Sequence, residues 1–112
     1  MSKVLLATDS DETAEETFAA LSSNETIVSR VTRGEDVRSV AAELEPDLVI
    51  LDIKMPGMNG IDAAKVISDE GLAAVILLSA FSQQDLIKKA SNAGVLAYLV
   101  KPFQRSDLVP SI

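Results

Sequence analysis

The sequence predicts a doubly wound α/β domain built on a five-stranded parallel sheet. Three observations carry that expectation. Five short apolar runs (residues 4–7, 27–31, 48–51, 75–78 and 95–100) recur with helical patterns between them. The third and fourth runs are nearly continuous in Val, Ile and Leu, which signals burial on both faces, as in a parallel sheet. Hydrophobic residues make up 47% of the chain but aromatics only 4%, so the core is aliphatic and suits a sheet covered by helices.

Each element follows in order. After the first run, residues 11–21 read as a helix, with Asp11, Glu12, Glu15 and Glu16 in the early turns where the helix dipole favours negative charge. The second run alternates less cleanly through Val28, Arg30 and Val31, which suits an edge strand. Val37, Val40, Ala41 and Leu44 fall at i, i+3, i+4 and i+7 on one helical face, and Pro46 stops that helix. The third run leads through the turn residues Met55-Pro56-Gly57 to a helix over 61–68. Beyond the fourth run, Ser82-Gln83-Gln84-Asp85 reads as a capping box. It opens a helix with Leu86, Ile87, Ala90 and Ala93 on its apolar face and Gly94 just past its end. Ser106 or Asp107 can cap a last helix, Pro110 fits its first turn, and Leu108 and Ile112 begin an apolar face. The sequence therefore reads as one domain, 1–112, whose last helix is cut short from something longer, a short terminal turn being the alternative.

Composition narrows the chemistry. With no Cys and no His, the chain has no disulfide, no thiolate metal site and no imidazole base. A net charge of −7 without a dense Lys/Arg cluster repels phosphate backbones, so this segment is not expected to bind nucleic acid directly. No basic stretch precedes a long apolar one, so neither a signal peptide nor a membrane span is expected, and a cytoplasmic location is.

In an open parallel sheet, ligands bind outside the carboxyl ends of the strands where strand order reverses. The first run is followed there by Thr8 and Asp9, the third by Asp52, the fourth by Ser79 and the fifth by Lys101. Any one of these could be a simple cap or surface residue. Together they place two carboxylates, a hydroxyl and an ammonium on one rim. The chemistry that fits is phosphoryl transfer onto a carboxylate, with Asp52 as nucleophile. Two anions approach only with charge neutralisation, which calls for a hard divalent cation on carboxylate and carbonyl oxygens, Asp9 supplying one. Lys101 would pair with the phosphoryl group and Ser79 would donate to another of its oxygens.

The stretch Leu51-Asp52-Ile53-Lys54-Met55-Pro56-Gly57-Met58-Asn59-Gly60 closely resembles the phosphoacceptor strand and loop of response-regulator receiver domains, of which the chemotaxis regulators are the simplest. Lys101-Pro102-Phe103 is similar to the family's Lys-Pro motif, Ser79-Ala80 to its hydroxyl-then-small pair, and Tyr98 to its switch aromatic. From Val75 through Val109 the chain looks most like receivers that precede an RNA-binding antitermination (ANTAR) domain. The resemblance implies the flavodoxin-like strand order 2-1-3-4-5 and phosphorylation of Asp52 by a sensor histidine kinase. It also implies Mg2+ held by Asp9, Asp52 and the Lys54 carbonyl, and a cis Lys101–Pro102 peptide. Phosphorylation would draw Ser79 inward and let Tyr98 turn into the vacated space. The face formed by the fourth helix, fifth strand and fifth helix would then change shape, to be read by an output domain outside this chain, by a partner or in a homodimer. Such a domain catalyses its own phosphorylation and dephosphorylation without being a conventional turnover enzyme.

One position departs from the pattern. Receivers usually present two adjacent acids after the first strand, and this chain has Thr8 followed by Asp9. A unit charge at ~4 Å is worth about 1 kcal/mol in water and roughly 4 near a protein surface, so its loss would weaken Mg2+ binding by about one to three orders of magnitude. The alternative function is thus a receiver-like interaction module that signals by binding and not by phosphate. A flavodoxin-type cofactor site fits poorly, because the loop after the first run carries too many carboxylates. A haloacid-dehalogenase-type phosphatase has Asp-x-Asp where this chain has Asp52-Ile53-Lys54.

Overall fold

A computed structural model describes residues 2–21, 25–55, 57–79 and 84–101, with the side chains of residues 2, 84 and 86 outside that description. Its strands are β1 (Ser2–Ala7), β2 (Glu25–Val31), β3 (Leu48–Asp52), β4 (Ala74–Ser79) and β5 (Ala97–Val100). The helices are α1 (Asp11–Ala20), α2 (Val37–Leu44), α3 (Gly60–Asp69) and α4 (Gln84–Asn92). All strand pairs are parallel, in the order β2-β1-β3-β4-β5. The expected fold is therefore the observed one.

β3 is central and buried along its whole length, as its unbroken Val/Ile/Leu run requires. Alternate residues of the inner strands feed two cores. Leu5, Val49, Leu51 and Leu77 pack toward Val37 and Ala41 of α2, Ala63, Ala64 and Ile67 of α3, and Ala90 of α4. Val4, Leu6, Ile50, Ile76 and Leu78 face the other way, where Ala20 of α1 meets them. Full burial of each such aliphatic side chain contributes about 1.5–3 kcal/mol. The small residues of α3 and α4 let those helices lie close to the sheet.

β2 is an edge strand, as its imperfect alternation suggested. Its pairing with β1 carries a slip in register: Val4 pairs with Ile27 but Leu5 with Ser29, leaving Val28 as an extra, exposed residue. β3 and β4 run one residue beyond the apolar runs, so Asp52 and Ser79 are the last residues of their strands and not the first of their loops. β5 begins at Ala97 and not at Val95. Gly94 leaves α4 with φ +82, and the Val95 N–H turns back to the Ala90 carbonyl. α2 ends with Glu45 in the left-handed region (φ 49) and Pro46 beyond it.

A 3-10 turn, Gly34–Asp36, precedes α2 and had no sequence signal. Its Gly34 lies against the loop after β3, where a Cβ would overlap the Met58 carbonyl oxygen. The Ser82 capping box, Pro56, Ala80, the Lys101–Pro102 peptide, Phe103 and the expected last helix lie outside the described residues. Among the described residues, no helix is long and apolar enough to cross a membrane.

Candidate functional site

The strand order reverses between β1 and β3, and a cavity of about 310 Å³ opens at their carboxyl ends. Asp9, Ser10, Asp52, Lys54, Ser79 and Lys101 line it. Four of the five rim residues expected from sequence (Asp9, Asp52, Ser79 and Lys101) thus share one space. Thr8 lies beneath it, wholly buried.

Asp52 is 4% exposed, and its Oδ2 accepts two hydrogen bonds. Lys101 Nζ donates at 2.8 Å and Thr8 Oγ1 at 3.0 Å. A buried carboxylate needs such donors, because an unpaired charge taken from water costs several kcal/mol. Backbone contacts aim both donors. The Lys101 N–H bonds the Ser79 carbonyl at 2.7 Å, which holds Lys101 at the end of the sheet. Thr8 donates its N–H to the Val31 carbonyl at 2.9 Å and accepts from Arg30 Nε on its own carbonyl at 3.2 Å. Arg30 is steadied in turn by Asp11, 2.8 Å away.

Ser10 joins this loop to α1. Its N–H donates to Thr8 Oγ1 at 3.1 Å, and its own hydroxyl accepts from the Thr13 N–H, capping the helix. Asp9 is therefore not the cap; it is exposed at the cavity mouth. The capping rule would have found Ser10, which stands immediately before an acidic first turn. The contact from Thr8 to Asp52 was not anticipated, because the sequence marked Thr8 only as a hydroxyl in the place of an acid.

The loop after β3 is shaped by close packing. The Gly60 N–H donates to the Ile53 carbonyl at 2.7 Å, and a Cβ on Gly60 would overlap the Asp52 carbonyl oxygen and lie 2.6 Å from Ile53 Cα. Asn59 caps α3 by accepting from the Asp62 N–H at 3.0 Å. Gly57 has φ +79, as the expected turn requires. Tyr98 is half-buried against the core on the α2–α4 side of the sheet, and it is not among the residues lining the cavity.

Asp9, Asp52 and the Lys54 backbone offer hard oxygen donors of the kind Mg2+ prefers. They are few: among the described residues, no group of three or more carboxylates stands close enough to hold a metal. The donor set fits magnesium in kind, with one acid fewer than the usual pair would give.

The fold and the polar rim define a class, and the chain belongs to it: the response regulator receiver domain model matches residues 4–112. Transcriptional regulatory protein PdtaR of Mycobacterium tuberculosis is 49% identical over 86 residues, covering 77% of this chain and 42% of that protein. Chemotaxis protein CheY of Thermotoga maritima is 39% identical over 87 residues, covering 77% and 72%. The signal receiver domain of the putative response regulator NarL from Mycobacterium tuberculosis superposes with a TM-score of 0.91 at 25% identity, covering 98% of this chain and 91% of that one. A CheX-CheY-BeF3-Mg+2 complex from Borrelia burgdorferi gives 0.86 at 28% identity, covering 98% and 85%. The match to PdtaR thus spans less than half of that regulator.

Proposed function

We propose that this domain takes a phosphoryl group from the phosphohistidine of a sensor kinase onto Asp52. An Asp52 oxygen forms the new bond to phosphorus while the phosphorus–nitrogen bond breaks, and the imidazole nitrogen leaves with the electron pair. The observation that supports this most is the setting of Asp52: a buried carboxylate at a strand end, held by an ammonium at 2.8 Å and lining one cavity with Asp9, Ser79 and Lys101. Lys101 would balance charge on the transferred group, and Ser79 would donate a hydrogen bond to it. Asp9, Asp52 and the Lys54 carbonyl would hold Mg2+, which supplies neutralisation between the two anions when bound. Movement of Ser79 and Tyr98 would then bias the α4–β5 face toward an output domain, of the ANTAR type by resemblance, within a cytoplasmic regulator.

The test is incubation with a small phosphodonor across a magnesium titration, read by intact mass. One phosphoryl group is expected on the parent chain and none on Asp52→Ala. Modification that survives Asp52→Ala would show that the nucleophile is another residue.

A second reading draws on Thr8. With a hydroxyl bonded to Asp52 Oδ2 where a second acid would stand beside Asp9, the metal site would be weakened, and the domain would signal by binding alone. Failure to take up phosphate at any magnesium concentration, with uptake restored in Thr8→Asp, would establish that reading.

A further inference from the structure

We infer that Thr8 is a positioning residue for the phosphoacceptor, with its hydroxyl orienting Asp52 and its neutrality setting the metal affinity. The inference rests on the phosphoacceptor reading above. Thr8 is fully buried and fixed at both backbone atoms, by the Val31 carbonyl and by Arg30 Nε. Its oxygen accepts from the Ser10 N–H at 3.1 Å, which leaves the hydroxyl proton directed at Asp52 Oδ2, 3.0 Å away. Lys101 donates to the same oxygen. Two donors from opposite sides of β3 thus fix the plane of the carboxylate and concentrate the bonded charge on Oδ2. Under the phosphoacceptor reading, the other oxygen would be the one that attacks phosphorus.

The two properties of Thr8 are separable. The hydroxyl acts on the orientation of Asp52, hence on the rate of phosphoryl uptake at saturating metal. The missing charge acts on the cation. Asp9 and Asp52 face Lys101 with a net charge of one negative unit, where an acid at position 8 would add another.

Phosphorylation rates across a magnesium titration separate them. Thr8→Ser keeps the donor and should match the parent. Thr8→Val keeps shape and charge, so its half-saturating magnesium should stay put while the saturated rate falls about tenfold or more, the effect of losing a hydrogen bond to a charged group. Thr8→Asp should lower half-saturating magnesium by about one to three orders of magnitude. A Thr8→Val domain that folds by circular dichroism and reacts like the parent overturns the inference. A readout without phosphate covers the remaining case. In metal-free protein, the Thr8 hydroxyl proton should give a slowly exchanging NMR resonance that disappears in Asp52→Ala. Its persistence in Asp52→Ala overturns the inference, whereas absence of phosphate uptake in every variant overturns the phosphoacceptor reading instead.

Discussion

The loops after β1 and β3 meet at the same cavity but are held by different physics. The β1 loop is a web of polar contacts: Arg30 and Val31 grip the Thr8 backbone, and Ser10 aims the Thr8 hydroxyl. The β3 loop is held by backbone approaching backbone, at Gly60 against Asp52 and Ile53 and at Gly34 against Met58. Polar webs degrade bond by bond and can exchange one partner for another. Close backbone contacts have no such latitude. The difference explains how the first loop can carry Thr where its family usually has an acid, while the second keeps the family pattern intact.

Gly60→Ala should disturb the β3 loop most. Its methyl has nowhere to go without moving the Asp52 backbone, so it should cost about 3 kcal/mol in urea unfolding and misplace the nucleophile. Gly34→Ala should act the same way from the other side. Arg30→Met keeps the apolar stem but removes the donor to Thr8, and a loss of about 1.5 kcal/mol is expected for that charged hydrogen bond. Ser10→Ala removes only the α1 cap, about 1 kcal/mol, and leaves the Ser10 N–H on Thr8 intact. An equal cost for Gly60→Ala and Ser10→Ala would erase the distinction between the loops.

The smallest expected effect depends on pH. Arg38 on α2 donates two hydrogen bonds to Glu70 at the end of α3, and these hold the Glu70 carboxyl below its ordinary value of 4.5. A carboxyl depressed in the folded state contributes stability above its unfolded value and loses it as pH falls through the folded one. Arg38→Ala should therefore lower the melting temperature slightly at pH 7, and the difference should vanish in acid below that range. Both partners are exposed, so salt should erase it too.

Much of this was legible in sequence for a simple reason. Strand ends are marked by where an apolar run stops, so the residues there can be assigned to one rim from sequence. Asp9, Asp52, Ser79 and Lys101 do line one cavity. What could not be read depends on contacts between distant segments. The aim of the Thr8 hydroxyl is set partly by Arg30, on another strand, and the slip at Val28 by how β2 lies against β1. Nothing in the sequence singled out Gly34, because the atom it must avoid belongs to residue 58. Tyr98 resembles the family's switch aromatic in sequence, and it lies half-buried against the core.

The slip at Val28 has a further consequence for the domain in a crowded solution. β2 is one of the two outer strands, and an uninterrupted outer strand is a template on which a foreign strand can dock and seed polymerisation. The extra residue breaks the ladder's rhythm midway, and the exposed Arg30 places a charge on the remaining half. An incoming strand therefore finds no long uniform stretch to copy. The slip at Val28 thereby makes this edge of the sheet a poor template for a foreign strand.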